Sequence, residues 1–255
     1  MLLIDTHTHL YASEFENDRD AMIQRAFDAG VQKLLIPNID QDTVPMMNAL
    51  ALKYPGHCYP MIGLHPCSVN NTYLEKLAFL EQQLQQGTYY GIGEVGMDLH
   101  WDKTYRPQQE EALKIQAEWA LQKDLPLIIH SREAFDPVVD ILKPYKAQGL
   151  RGVFHCFTGS YEEALMALDL GFYLGIGGVV TFKNSGLKDI LPQIPLTNLI
   201  LETDSPYLAP VPHRGRRNES AYTLHVAEKL AEILDKPVEE IAEITSTNAK
   251  RLFRI

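Results

Sequence analysis

The sequence predicts an α/β chain folded as a (β/α)8 TIM barrel, and three observations predict it. Eight short apolar runs recur along the chain, with helix-patterned stretches between them. Strands that are apolar on both faces and separated by helices belong to a parallel sheet covered by helices, and eight such units in 255 residues match the size of a closed barrel. Finally, residues able to do chemistry fall at the C-terminal ends of the runs, where barrel active sites collect.

Taken in order, the first run is Leu2 to Ile4, followed by Asp5-Thr6-His7-Thr8-His9. The second is Lys33 to Ile36, and the third, Tyr59 to Gly63, leads into Leu64-His65-Pro66. Tyr89 to Gly93 ends in Glu94, Leu127 to Ile129 in His130, and Gly152 to Phe154 in His155. Phe172 to Ile176 is the seventh run; Leu199 to Leu201 is the eighth and opens Glu202-Thr203-Asp204. Between them, Ile23, Ala26 and Phe27, and again Leu113, Ala117, Ala120 and Leu121, recur at the three- and four-residue spacing of one helix face. The tail from Ser220 to Ile255 reads as two or three closing helices, with Val226, Leu230 and Ile233 on one stripe and Pro237 restarting the chain. No Pro- or Ser-rich linker or shift of composition divides the chain, so one domain over residues 1–255 is expected.

Composition excludes several classes. With 45% apolar and 22% charged residues the chain can bury a large core. No stretch approaches the roughly 20 apolar residues of a spanning helix, and the first residues lack a basic leader, so a cytoplasmic location is expected. Cys58, Cys67 and Cys156 are odd in number and lack zinc-ribbon spacing, which fits free thiols. The formal charge of −10 repels a polyanion overall, so any nucleic-acid contact must be local.

In an extended strand His7 and His9 project to one side, as two imidazoles must to grip one cation. One histidine after an apolar run is usually structural. Four of them (His7, His9, His130, His155) and two carboxylates (Glu94, Asp204) converging on one mouth are a different matter, because unpaired buried carboxylates are costly and cations remove the cost. Six ligands exceed the three plus water of a single catalytic zinc, so two divalent metals sharing a carboxylate are expected, with Glu94 as the bridge. Oxygen and nitrogen donors without thiolate leave Mg, Mn and Zn open.

The motifs Asp5-Thr6-His7-Thr8-His9, Gly63-Leu64-His65-Pro66, Gly93-Glu94-Val95-Gly96-Met97-Asp98, Leu127-Ile128-Ile129-His130-Ser131-Arg132, His155-Cys156-Phe157-Thr158-Gly159, Glu202-Thr203-Asp204-Ser205-Pro206 and Arg214-Gly215-Arg216-Arg217-Asn218-Glu219 resemble, nearly end to end, the TatD family of metal-dependent deoxyribonucleases within the wider metal-dependent hydrolases. The resemblance implies a barrel of the metal-dependent hydrolase type, divalent metal on His7, His9, Glu94, His130, His155 and Asp204, and exonuclease trimming of DNA from 3′ ends. The sequence departs from the family pattern at Met97, Ser205 and Ser220, where leucine, alanine and proline are expected.

Charge suggests the mechanism. Two cations at Glu94 would lower the pKa of water and neutralise charge on phosphorus and the leaving oxygen, while Asp204 takes the proton; Glu202 is the other candidate base or an orienting group. His65 is expected to contact a phosphate or leaving group. Lys183, Arg214, Arg216 and Arg217 fall in the loops after the seventh and eighth strands, where barrels often hold phosphate; a solvated basic loop is the alternative. DNA ends or single-stranded DNA are the expected partners. A small-molecule amidohydrolase or phosphoesterase with the same dimetal site is the competing class, and a binding protein that had lost its ligands is excluded because none is missing.

Overall fold

A computed structural model describes residues 1–255. Its strands are β1 Leu3–Asp5, β2 Val31–Pro37, β3 Cys58–Met61, β4 Ile92–Asp98, β5 Leu127–Arg132, β6 Gly152–Phe154, β7 Phe172–Ile176 and β8 Leu199–Leu201. All neighbours pair in parallel, in two arcs, β1-β2-β3 and β4-β5-β6-β7-β8. Bridges between Ile62 and Ile92 and between Thr8 and Ser205 join the arcs. The Gly93 amide donates to the Ile62 carbonyl (2.9 Å) and the Thr6 amide to the Leu201 carbonyl (3.0 Å), so the ring closes. The expected barrel is present.

Outside the ring lie α1 Arg19–Asp28, α2 Val44–Lys53, α3 Tyr73–Gln86, α4 Arg106–Lys123, α5 Phe135–Lys146, α6 Tyr161–Asp169, α7 Leu187–Ile190, α8 Thr223–Leu234 and α9 Val238–Phe253. The stripes read from the sequence are the buried ones: Ile23 and Ala26 on α1, Leu113, Ala117 and Ala120 on α4, Val226 and Leu230 on α8. Ser160 caps α6 by accepting the Glu163 amide while Glu163 accepts the Ser160 amide, a reciprocal arrangement that satisfies two otherwise unpaired donors. No helix is long and apolar enough to cross a membrane.

Strand alternation divides the interior into layers. Ile4, Leu35, Tyr59, Met61, Ile128, Val153 and Ile200 form one apolar cluster, and Ala249, Leu252 and Phe253 of α9 close it from below. Two residues after Ile128, Val153 and Ile200 stand His130, on β5, and His155 and Glu202, just past the ends of β6 and β8. The lower layer thus excludes water beneath a polar upper one.

Strands β4 and β5 run past Glu94 and His130, to Asp98 and Arg132, so these two residues lie within strands and not at their ends as the apolar runs implied. The polar, glycine-containing continuation carries no hydrophobic signal and is held by pairing Gly96 with His130. Gly96 has φ +136°, and a Cβ there would come within 2.0 Å of the His130 carbonyl. Gly96→Ala therefore combines overpacking with backbone strain, and a loss of about 2–5 kcal/mol is expected. Urea unfolding checks this; a midpoint equal to that of the parent protein would show that the two strands can separate without cost.

Candidate metal centre

Glu94 stands almost wholly buried on β4, and its two oxygens face different neighbours. Oε2 lies 3.2 Å from His7 Nε2 and 3.7 Å from His9 Nε2. Oε1 lies 2.8 Å from His155 Nε2, 2.9 Å from His130 Nδ1 and 3.3 Å from His65 Nε2. Asp204 Oδ1 approaches the first side, 3.4 Å from His9 Nε2 and 3.8 Å from His7 Nε2. All six ligands expected from sequence meet at one mouth. Overlapping triads of a size to hold an ion are His7–His9–Glu94, His7–His155–Asp204 and His65–Glu94–His130.

What lies behind each imidazole decides which nitrogen carries its proton. Tyr11 donates to the Pro37 carbonyl (2.8 Å), so its oxygen accepts from His9 Nδ1 (3.0 Å) and the Nε2 lone pair faces the carboxylates. Asp98 Oδ2 accepts from His130 Nε2 at 3.0 Å, which turns the Nδ1 lone pair toward Glu94. Glu202 Oε1 lies 3.4 Å from His155 Nδ1, long for a hydrogen bond, and accepts the Cys156 amide at 2.6 Å. His65 is the reverse case. Its Nδ1 accepts the Cys67 amide (3.1 Å), so the neutral ring carries its proton on Nε2 and presents a donor to the mouth.

Burial pushes the Glu94 carboxyl up, but the imidazoles of His155, His65 and His7 outweigh it and hold it well below the usual range. Asp204 is held down in the same way, against burial, by His9, His155 and His7. Burial lowers His7 and His65, favouring neutral rings. His155 and His130 are raised, burial being outweighed by their carboxylate neighbours. Positive charge on the imidazoles can thus offset the carboxylates, a role that cations among the same donors can also take. The donor set fits divalent metal: nitrogens and oxygens only, two anionic carboxylates, and buried His7 Nδ1, His155 Nδ1 and Glu202 Oε2 without hydrogen-bond partners.

The frame is built from both chain ends of the barrel. Asp5 accepts the Thr203 amide (2.9 Å) and hydroxyl (2.7 Å), tying the His7–His9 segment to Asp204; the Asp204 amide donates to the His7 carbonyl at 2.9 Å. Two family departures meet here: the Ser205 and Ser220 hydroxyls lie 2.7 and 3.2 Å from that of Thr8. Serine at both places completes one buried hydroxyl trio.

The basic residues divide. Lys183, Arg214 and Arg216 are exposed, with the Arg214 guanidinium 4.3 Å above the Phe182 ring. Arg217 is engaged elsewhere: it pairs with Asp18 (2.6 and 2.8 Å) and lies over Phe15. It thereby clamps the β8 loop to the start of α1. Cys156 lies beyond the end of β6 at φ +47°, where strand alternation no longer applies. Tyr11 and Asp98 went unassigned in the sequence, although Asp98 closes the Gly93–Asp98 motif.

The model describing a TatD related DNase matches residues 4–254. The chain belongs to the TatD family. It is 41% identical to the metal-dependent hydrolase YabD of Bacillus subtilis, over the full length of both chains. It is 32% identical to the 3′-5′ ssDNA/RNA exonuclease TatD of Erwinia tasmaniensis, covering 99% of this chain and 100% of that one. The crystal structure of the TatD homologue YJJV from Escherichia coli superposes with a TM-score of 0.93 at 32% identity, covering 99% of this chain and 98% of that one. The chain is accordingly a metal-dependent hydrolase, and the barrel is the family's fold.

The contrast between His130 and His65 generates a test. Removing Asp98 frees the His130 ring, and Asp98→Ala should weaken divalent-metal affinity about 10- to 100-fold. His65→Ala removes a donor and should leave affinity within about twofold. Equilibrium dialysis measures both; equal losses would mean that His65 is a ligand after all.

Proposed function

We propose that this chain is a two-metal phosphodiesterase that removes nucleotides from the 3′ ends of single-stranded nucleic acid. The observation that carries the reading is Glu94, whose oxygens face two separate donor groups: His7 and His9, with Asp204 beside them, on one side, and His130 and His155 on the other. Glu94 and these two donor groups would hold two divalent cations. When bound, these would supply Lewis acidity, lowering the pKa of water and neutralising charge on the phosphoryl group. The imidazole-rich donor set favours zinc over magnesium, and the two carboxylates also suit manganese.

Asp204 is the better placed base. Its side chain remains partly accessible at the mouth, whereas Glu202 is fully buried behind His155 and packed where a Cβ on Gly175 would stand. Asp204 receives the proton of the attacking water, and Glu202 orients His155. His65 donates from Nε2 to a phosphoryl or leaving oxygen, and Lys183, Arg214 and Arg216 hold phosphates outside the mouth. Few phosphates are touched, so binding has a shallow salt dependence, about 0.7 per phosphate neutralised on a single strand.

The 3′ direction rests on the exonuclease relative, and the preference for single strands also on the narrow mouth of a closed barrel. Core residues running from Leu3 to Ala242 form one cluster, which supports one domain over residues 1–255. The three free cysteines support a reducing, cytoplasmic setting.

Glu94→Ala and His155→Ala should each lower bound metal and activity together; full occupancy by elemental analysis in both variants would refute the ligand assignment. For Asp204→Asn, turnover should fall at least 100-fold with the fold intact, because an amide cannot accept the water's proton. A 5′-labelled single strand should yield a ladder shortening from the 3′ end with added Mn or Zn. Rapid nicking of closed circular duplex would rule out end trimming, and hydrolysis of amides alone would transfer the chain to small-molecule chemistry.

A further inference from the structure

Trp101 is 72% exposed in the loop after β4, an unusual position for the largest apolar side chain unless it has something to cover it. The Arg132 guanidinium lies over its ring, 5.0 Å from the centroid, and the His100 ring packs nearly perpendicular to it, 4.8 Å between centroids. His100 is itself held by Glu133 at 2.6 Å. With Arg132 over the ring and most of its area in solvent, the indole is exposed from a supported position.

This ring is tied to the metal centre by one carboxylate. Asp98 Oδ1 accepts the amides of His100 (3.0 Å) and Trp101 (3.4 Å), while Oδ2 holds His130 at 3.0 Å. The loop that carries Trp101 and the ring that faces Glu94 therefore share an anchor. On the same side of the mouth, over the ends of β5 and β6, a cleft of about 400 Å³ runs from His155 to Glu133, the residue that braces His100. The local charges balance, Arg132 and Lys103 standing against Glu133 and Asp102. Phosphate attraction is weak there, and stacking is the interaction the surface offers.

We propose that Trp101, backed by Arg132, is a stacking platform for an unpaired nucleobase of the substrate strand, so that the strand enters across the ends of β4–β6. The proposal rests on the nuclease reading and adds to it a base-side contact opposite the basic loops after β7 and β8. Aromatic stacking accepts any base, and removing one such ring costs enough to raise KM roughly 5- to 100-fold. It also requires an unpaired base, and so selects single strands by chemistry as well as by width.

A cycle between protein and substrate tests this. In the metal-loaded enzyme, Trp101→Ala should raise KM for a single-stranded oligonucleotide by roughly 5- to 100-fold at nearly constant kcat, and Trp101→Phe should restore most of it. An abasic site moved along the last four nucleotides should raise KM for the parent enzyme by a similar factor at one position. At that position the abasic change should cost the Trp101→Ala enzyme nothing more. Additive losses at every position, or an unchanged KM in Trp101→Ala while the parent enzyme trims DNA, would overturn the platform and leave the nuclease reading standing. If the parent enzyme with Mn or Zn neither binds nor trims single strands, both readings fall together.

Discussion

A carboxylate buried among imidazoles is the constraint on which the rest of this structure depends. Glu94 sits on β4 with almost no exposure, and five histidine nitrogens lie within 3.7 Å of its oxygens. Burial alone would favour the protonated acid. Positive charge must therefore be supplied close by, as imidazolium or as bound cations, and the fold places the donors that can accept either. A two-sided arrangement follows from geometry: an sp² carboxylate has two oxygens, and the barrel brings β1 and β8 to one of them and β5 and β6 to the other.

Holding such a centre requires a dry floor and fixed walls. The apolar layer topped by Ile128, Val153 and Ile200 and closed by α9 supplies the floor. Glycines make room where polar side chains need volume. Gly175 leaves the space that Glu202 fills, and Gly96 lets β4 pass close to the His130 carbonyl. The walls are polar but satisfied. Asp5 joins the segments after β1 and β8, Tyr11 fixes His9, and Asp98 fixes His130. Each of these groups spends its hydrogen bonds on orientation, which leaves the inward nitrogens free to act as ligands.

Much of this was legible in the chain, for a definite reason. Parallel strands buried on both faces leave continuous apolar runs, and barrel chemistry gathers at their ends, so His7, His9, His155 and Asp204 stood out at once. Glu94 and His130 stood out with them but were placed at strand ends, since a strand continuing through Val95-Gly96-Met97-Asp98 has little apolar signal and exists because β5 pairs with it. Asp98 and Tyr11 were missed because an orienting residue is defined by what it touches across the fold. Arg217 shows the same limit: in sequence it belongs to an arginine cluster, and only the folded chain brings Asp18 to within 2.6 Å of it. The serines at 205 and 220 look like unrelated departures from the family until Thr8 is seen between them.

The histidines carry that point furthest. His65 and His130 both follow apolar runs and both lie within 3.3 Å of the same Glu94 oxygen, so distance alone does not separate them as candidate ligands. Their far sides separate them. A backbone amide behind His65 can only donate, and so forces the ring's proton toward the mouth; a carboxylate behind His130 can only accept, and so draws the proton away from it. When both rings are neutral, one presents a donor and the other a lone pair. Role is thus assigned by the second neighbour of each imidazole, a property of tertiary packing that a motif records only indirectly, through the proline turn after His65 and the aspartate four residues beyond Glu94.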